Sequence, residues 1–167
     1  MYEIRIAITP EIPQVHELLS RCGMHMYETM KLTHWYPYKT LPEFTSYMNG
    51  KTIYCIHEGS SLLGSFNLDT RPRDYYYAEL WSDGDCPALY LGNLGILPQL
   101  QNRGLGKRCM SEVERIAKEQ KRSIRFDCVE KHPWLAGFYE KLGYKRRETI
   151  PSSVGNLICF EKTVEAL

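Results

Sequence analysis

Between Leu94 and Lys107 the chain reads Leu94-Gly95-Ile96-Leu97-Pro98-Gln99-Leu100-Gln101-Asn102-Arg103-Gly104-Leu105-Gly106-Lys107. This is the pattern of a strand, a proline turn, a glycine-bearing loop and a helix start. A helix N-terminus leaves backbone amides without intrahelical partners and carries a partial positive charge, and glycines let phosphate oxygens approach the backbone. The chemistry offered by residues 102–107 is therefore capture of a di-anionic phosphate. Glycines capping an ordinary helix are the plainer reading of this stretch alone. Two other phosphate motifs fail: a Walker A loop would need Gly at Gln101 and Ser or Thr at Arg108, and a dinucleotide fingerprint would need a small residue at Cys109.

A second stretch, His132-Pro133-Trp134-Leu135-Ala136-Gly137-Phe138-Tyr139-Glu140-Lys141-Leu142-Gly143-Tyr144, follows the next predicted strand. Taken with the first, it carries a resemblance. Gln101-x-x-Gly104-x-Gly106 at a strand–helix junction, with Ile96-x-Pro98 upstream, resembles the acetyl-CoA pyrophosphate motif of the GNAT family of N-acetyltransferases. Phe138-Tyr139-x-Lys141-x-Gly143-Tyr144 is similar to a later helix of that family. The likeness is specific over residues 88–144, and the predicted element order extends it more weakly to the whole chain.

The resemblance implies roles for particular residues. Amides of Asn102, Arg103, Gly104, Leu105, Gly106 and Lys107 would bind the pyrophosphate of acetyl-CoA. The strand segment Leu94, Gly95 and Ile96 would hold the pantetheine arm, with the Leu94 amide polarising the thioester carbonyl as an oxyanion donor. Tyr139 would protonate the departing thiolate, a role that suits a phenol with pKa near 10; a core aromatic on an amphipathic helix is the plainer reading. The acceptor amine would attack directly, with no covalent enzyme intermediate and no metal.

The departures from the family pattern concern the proton acceptor. His132 stands where the family usually has asparagine; it could bond the pantetheine, cap the helix or be a surface histidine. No carboxylate lies near Gly92, where many relatives carry one. Asp127 occupies the place where ribosomal-protein acetyltransferases of the family have a glutamate base, but it shares a strand face with Arg125, and an ion pair with Arg125 is the simpler reading. Glu79 is a further loop candidate, and water could relay the proton instead.

These residues need elements to position them. Polar–apolar alternation predicts strands near 2–7, 52–57, 62–69, 88–97, 124–129, 144–147 and 157–162. Thr9-Pro10 reads as a cap and first-turn proline for a helix through Ile12, Val15, Leu18, Leu19 and Cys22. Thr40 opens a second helix, residues 104–121 form a third, and Pro133 starts a fourth that Gly143 stops. The expected fold class is α/β, and the resemblance makes it GNAT-type. That is a mixed, mostly antiparallel sheet of about seven strands flanked by about four helices, splayed between strands 4 and 5.

Composition bounds the rest. The 167 residues fit one domain, 1–167, and Lys plus Arg exceed Asp plus Glu by 21 to 20, a net charge of +1. That balance argues against a duplex-binding module and leaves no nucleic acid among the expected partners. The opening lacks the basic-then-apolar start of a secretory signal, and no apolar run nears the ~18 residues of a membrane span. Six separated cysteines without a C-x-x-C pair read as reduced core thiols. The expectation is a cytoplasmic protein with no membrane partner.

Aromatics are the surplus: of twenty, ten fall in 27–47 and 75–81. The family resemblance places acceptor sites among early helices and loops, so Trp35, Tyr36, Tyr77 and Trp81 are candidate pocket walls. Such walls would suit an apolar or planar acceptor, or a cation held on ring faces. A satellite core or the contact of a homodimer is the plainer alternative. Arg71 and Arg73 could hold an anionic group. The leading reading is acetyl-CoA-dependent acetylation of a small amine or a protein amino group; the alternative is a non-catalytic acyl-CoA sensor or interaction module.

Overall fold

A computed structural model describes residues 2–84 and 86–166; Asp83-Gly84-Asp85 reads as a turn in the sequence, and its Asp85 lies outside the described residues. Seven strands form one open mixed sheet: β1 (Tyr2–Ile6), β2 (Thr52–Glu58), β3 (Ser61–Asp69), β4 (Ala88–Ile96), β5 (Ser123–Val129), β6 (Lys145–Ile150) and β7 (Leu157–Lys162). Their order is β1-β2-β3-β4-β5-β7-β6. The expected seven strands, four helices and mixed sheet are all present. The helices are α1 (Ile12–Met30), α2 (Leu41–Met48), α3 (Leu105–Gln120) and α4 (Leu135–Lys141). β4 and β5 run parallel, and their register covers only Ala88↔Ser123, Leu89↔Ile124 and Tyr90↔Arg125. Among the described residues, β4 beyond Tyr90 has no register partner on β5, as expected of a sheet that opens between strands 4 and 5.

The chain divides into two compact units. The first holds residues up to Leu68 together with Gly92–Glu112. Its core joins Val15, Leu18, Leu19 and Cys22 of α1 to Phe44 and Met48 of α2, Ile53 and Cys55 of β2, and Leu97. The spacing of the α1 set puts those side chains on one face, as a core-facing helix requires. Gly23 on α1 allows a close approach: a Cβ there would sit 2.1 Å from the Trp35 carbonyl oxygen. Thr40 caps α2 through a reciprocal pair with Glu43, whose Oε2 accepts from the Thr40 amide at 2.8 Å.

The second unit holds Asp69–Leu91 and the chain from Val113 onward. β7 lies between β5 and β6 and pairs with both in antiparallel fashion. Stacked and tilted rings of Phe126, Tyr139, Tyr144 and Phe160 fill its interior. Gly143, at φ 85°, ends α4 as predicted.

Three local expectations are corrected. Thr9 does not cap α1: Thr9–Glu11 form a short 3-10 turn, and α1 begins afterwards with Pro13 in its first turn. The cause is Glu11, which turns back to accept the Ile8 amide at 2.9 Å. Pro133 does not start α4, because the His132 amide first donates to the Val129 carbonyl at 3.1 Å, closing a turn before Leu135. The penultimate strand in sequence starts at Lys145 and runs on to Ile150 rather than stopping at Arg147.

Candidate functional site

In the first unit, the strand-to-helix stretch is shaped by backbone conformation. Asn93 takes φ 50° inside β4, a left-handed residue where a strand is extended, and its side chain donates to the Tyr38 hydroxyl at 3.3 Å. Leu94 beyond it is half-buried, and Gly95 and Ile96 are buried. The Leu97 amide bonds the Leu63 carbonyl of β3 at 3.0 Å, so the Ile96 carbonyl points to the opposite edge. There it accepts from Gln101 Nε2 at 3.1 Å and from the Cys22 thiol at 3.3 Å. Gln101 thus fastens the loop to the strand it leaves. Of the peptide groups Ile96 turns to that edge, its carbonyl is already engaged.

After the 3-10 turn Pro98–Leu100, Asn102 at φ 60° and Gly104 at φ 81° reverse the chain into α3. The Arg108 amide donates to the Gly104 carbonyl at 3.1 Å, opening the helical ladder. The amides of Leu105, Gly106 and Lys107 precede that bond and have no carbonyl one turn back within the helix. Arg103, Lys107 and Arg108 are exposed around this end. Sixteen residues of α3 follow, enough for aligned peptide dipoles to add to the local positive potential. The loop can hold an anion through backbone amides with cations at its rim.

In the second unit, Tyr139 is 5% exposed and packs against Phe126 at 4.5 Å between ring centres, Phe160 at 5.6 Å and Tyr144 at 6.1 Å. His132 is half-buried, and its Nδ1 is buried without a hydrogen-bond partner. Burial holds the His132 imidazole below its ordinary pKa, so it is neutral at pH 7. It does not cap α4, which begins at Leu135 with no side-chain cap.

Asp127 is not paired with Arg125. Arg125 lies opposite Glu161 in the β5–β7 register and bonds its carboxylate at 3.3 Å. It also bonds the Asp83 carboxylate, and donates to the Gly84 carbonyl at 3.0 Å and the Tyr90 hydroxyl at 3.3 Å. At 2% exposure this guanidinium has its charge neutralised on two sides. Asp127 instead accepts the hydroxyls of Tyr75, at 3.0 Å, and Tyr76, with Arg73 at 3.6 Å. Tyr77 donates to Glu148 at 2.6 Å. The three consecutive tyrosines therefore fasten their loop to β5 and β6. The tyrosine triplet was visible in the sequence as bulk; its hydroxyls as donors to specific carboxylates were not.

The aromatic candidates divide between the units. Trp35 packs on the α1 core and Tyr36 stacks on Tyr27 at 4.1 Å, both in the first. Tyr77 and Trp81 belong to the second, where Trp81 is buried and lies 5.2 Å from the Arg125 guanidinium. Glu79 is exposed on a 3-10 turn, Ala78–Leu80. Five of the cysteines are buried and Cys86 is exposed; none is in a disulfide. Burial pushes the thiols of Cys22, Cys55, Cys109, Cys128 and Cys159 up to about 12, which keeps them protonated and inert. Among the described residues, no helix is long and apolar enough to cross a membrane.

Residues 12–144 match the model of the acetyltransferase (GNAT) family. Among solved structures, an acetyltransferase of the GNAT family from Streptococcus agalactiae superposes with a TM-score of 0.76 at 19% identity, covering 97% of this chain and 95% of that one. The ribosomal-protein-S18-alanine N-acetyltransferase of Escherichia coli gives 0.71 at 14% identity, with 98% and 94% covered. The yncA structure from Salmonella typhimurium, solved with its cofactor acetyl-CoA, gives 0.70 at 11% identity, with 98% and 94% covered. No match to the curated proteins is found.

Proposed function

The chain belongs to the acetyltransferase (GNAT) family, and from that premise we propose that it moves an acetyl group from acetyl-CoA to a primary amine of a small molecule or a protein. The observation that carries the proposal is the reversal at Asn102 and Gly104, which leaves the first amides of α3 open beside exposed Arg103 and Lys107. Residues 1–167 would act as a single N-acetyltransferase domain.

Acetyl-CoA supplies an acyl group activated as a thioester; the chain's residues bind and orient it. Amides of Asn102, Arg103, Gly104, Leu105, Gly106 and Lys107 would take the pyrophosphate. The pantetheine arm would run along the part of β4 that lacks a β5 partner. There Leu94 and Gly95 offer backbone groups, and Ile96 offers its amide because its carbonyl is engaged. The Leu94 amide would donate to the carbonyl oxygen as negative charge develops on it. His132 fits the arm through its unpartnered Nδ1, which as a lone-pair acceptor suits an amide N–H. Tyr139 would donate its proton to the leaving sulfur. Asp127, with two phenols on its carboxylate, and exposed Glu79 are the carboxylates proposed to take the amine's proton.

Titration with acetyl-CoA and with acetyl-pantetheine tests the phosphate assignment. Removing the nucleotide diphosphate should weaken binding by at least ~10-fold, the scale of a few charge-assisted hydrogen bonds. Equal affinities would detach the loop from the ligand. A second reading, a non-catalytic acyl-CoA binder, is favoured by one observation: Tyr139 is deep in a ring cluster, as a purely structural aromatic would be.

A further inference from the structure

A cavity of about 280 Å³ opens in the second unit, walled by Tyr76, Tyr77, Trp81 and Tyr90 and flanked by Arg122 and Arg125. Its walls are preformed. Tyr76 meets Trp81 edge-on at 5.1 Å and Tyr90 at 5.8 Å, while Tyr76 and Tyr77 are fixed through their hydroxyls to Asp127 and Glu148. Rings held this way lose little freedom when a ligand enters, so contact energy is not spent on ordering them.

The charges at the cavity are one-sided. Among the described residues its lining includes two guanidiniums and no carboxylate side chain. Arg125 is neutralised by Asp83 and Glu161. Arg122 is not: its side chain bonds the Ala88 carbonyl at 3.4 Å, and no carboxylate pairs with it among the described residues. A half-buried, planar cation beside aromatic walls selects a flat apolar body bearing a carboxylate, which a guanidinium binds with two parallel hydrogen bonds. A cationic ligand would meet like charge. At about 280 Å³ the volume falls just below the usual range of ligand pockets, ~300–1,000 Å³, and suits roughly one or two fused rings.

We propose that this cavity is a binding site for a planar aromatic carboxylate, with Arg122 as the carboxylate's partner and the tyrosine and tryptophan rings as its walls. The site is defined without acetyl-CoA and does not depend on the acetyl-transfer reading.

Calorimetric titration of the full chain, without acetyl-CoA, compares 2-naphthoate with its neutral amide and with 2-naphthylmethylamine. Naphthoate binds one molecule per chain, and the other two bind at least ~10-fold more weakly, the scale of a charge-assisted pair. Arg122→Gln brings naphthoate down to the level of the amide. An independent readout uses Cys86, the exposed thiol on the cavity lining, which iodoacetamide reaches before the five buried ones. Saturating naphthoate slows Cys86 alkylation several-fold in the unmodified protein, a measurement that stands even if the variant does not fold. Absence of naphthoate binding, equal affinity for the three probes, or an unchanged alkylation rate would each overturn the proposal.

Discussion

At the scale of residues, Tyr139 and Arg125 show how a polar atom in an apolar setting is read. The Tyr139 ring is held by Phe126, Phe138, Tyr144 and Phe160, so Tyr139→Phe keeps its packing and removes only the hydroxyl. If the hydroxyl is the general acid, kcat falls by ~100-fold or more while acetyl-CoA affinity and melting temperature stay put. Steady-state kinetics beside a binding titration checks this, and an unchanged kcat removes Tyr139 from the chemistry. Arg125 is a structural case. Arg125→Leu removes the cation that Asp83 and Glu161 share and leaves Glu161, only 1% exposed, with the more distant Arg147 at 3.9 Å. Unpairing a buried charge typically costs about 3–5 kcal/mol. Urea unfolding of this variant should lose stability on that scale, and a loss well under 1 kcal/mol would show that solvent already screens the network.

At the scale of elements, the decisive piece is the turn from β4 into α3. Gly104 takes φ 81°, and a Cβ there would meet nothing within 4 Å. Gly104→Ala therefore introduces no clash, only the cost of a left-handed alanine, ~1 kcal/mol. Melting should register that small loss, while calorimetry should register a clear rise in the acetyl-CoA Kd as the amides lose their alignment. A fall in melting temperature with an unchanged Kd would separate the turn from the ligand. This turn was legible in the sequence because glycine spacing and the following apolar period are local signals. The start of α2 after Thr40 was legible from a local signal as well, while the Glu43 side chain that completes its cap emerged only in the structure. Which carboxylate Arg125 takes was not. That choice is made by the β5–β7 register and by the loop that brings in Asp83, and strand-face arithmetic along β5 sees neither. The displaced start of α4 has a similar origin, since the Val129–His132 turn competes with the proline signal.

At the scale of the molecule, stability and activity make separable claims. Glu11 is buried beneath a two-pronged Arg5 pair at 2.9 and 2.7 Å, with the Ile8 amide at 2.9 Å and His57 at 3.0 Å. The Arg5 hydrogen bonds lead in holding its carboxyl at about 2, against an ordinary 4.5. Because the folded value is depressed, this stabilisation is complete above pH 4.5 and is lost as pH falls toward 2. Denaturant midpoints should drop through that window, and Glu11→Gln should flatten the drop; an equally steep drop in the variant would assign the acid sensitivity to other carboxylates. Acetyl transfer by this chain is tested most directly by release of CoA thiol from acetyl-CoA across a panel of small amines and amine-bearing peptides. The predicted result is amine-dependent thiol release with at least one acceptor, lost in Tyr139→Phe. Tight acetyl-CoA binding with no release above background on any acceptor would contradict it and leave a binder on the same fold.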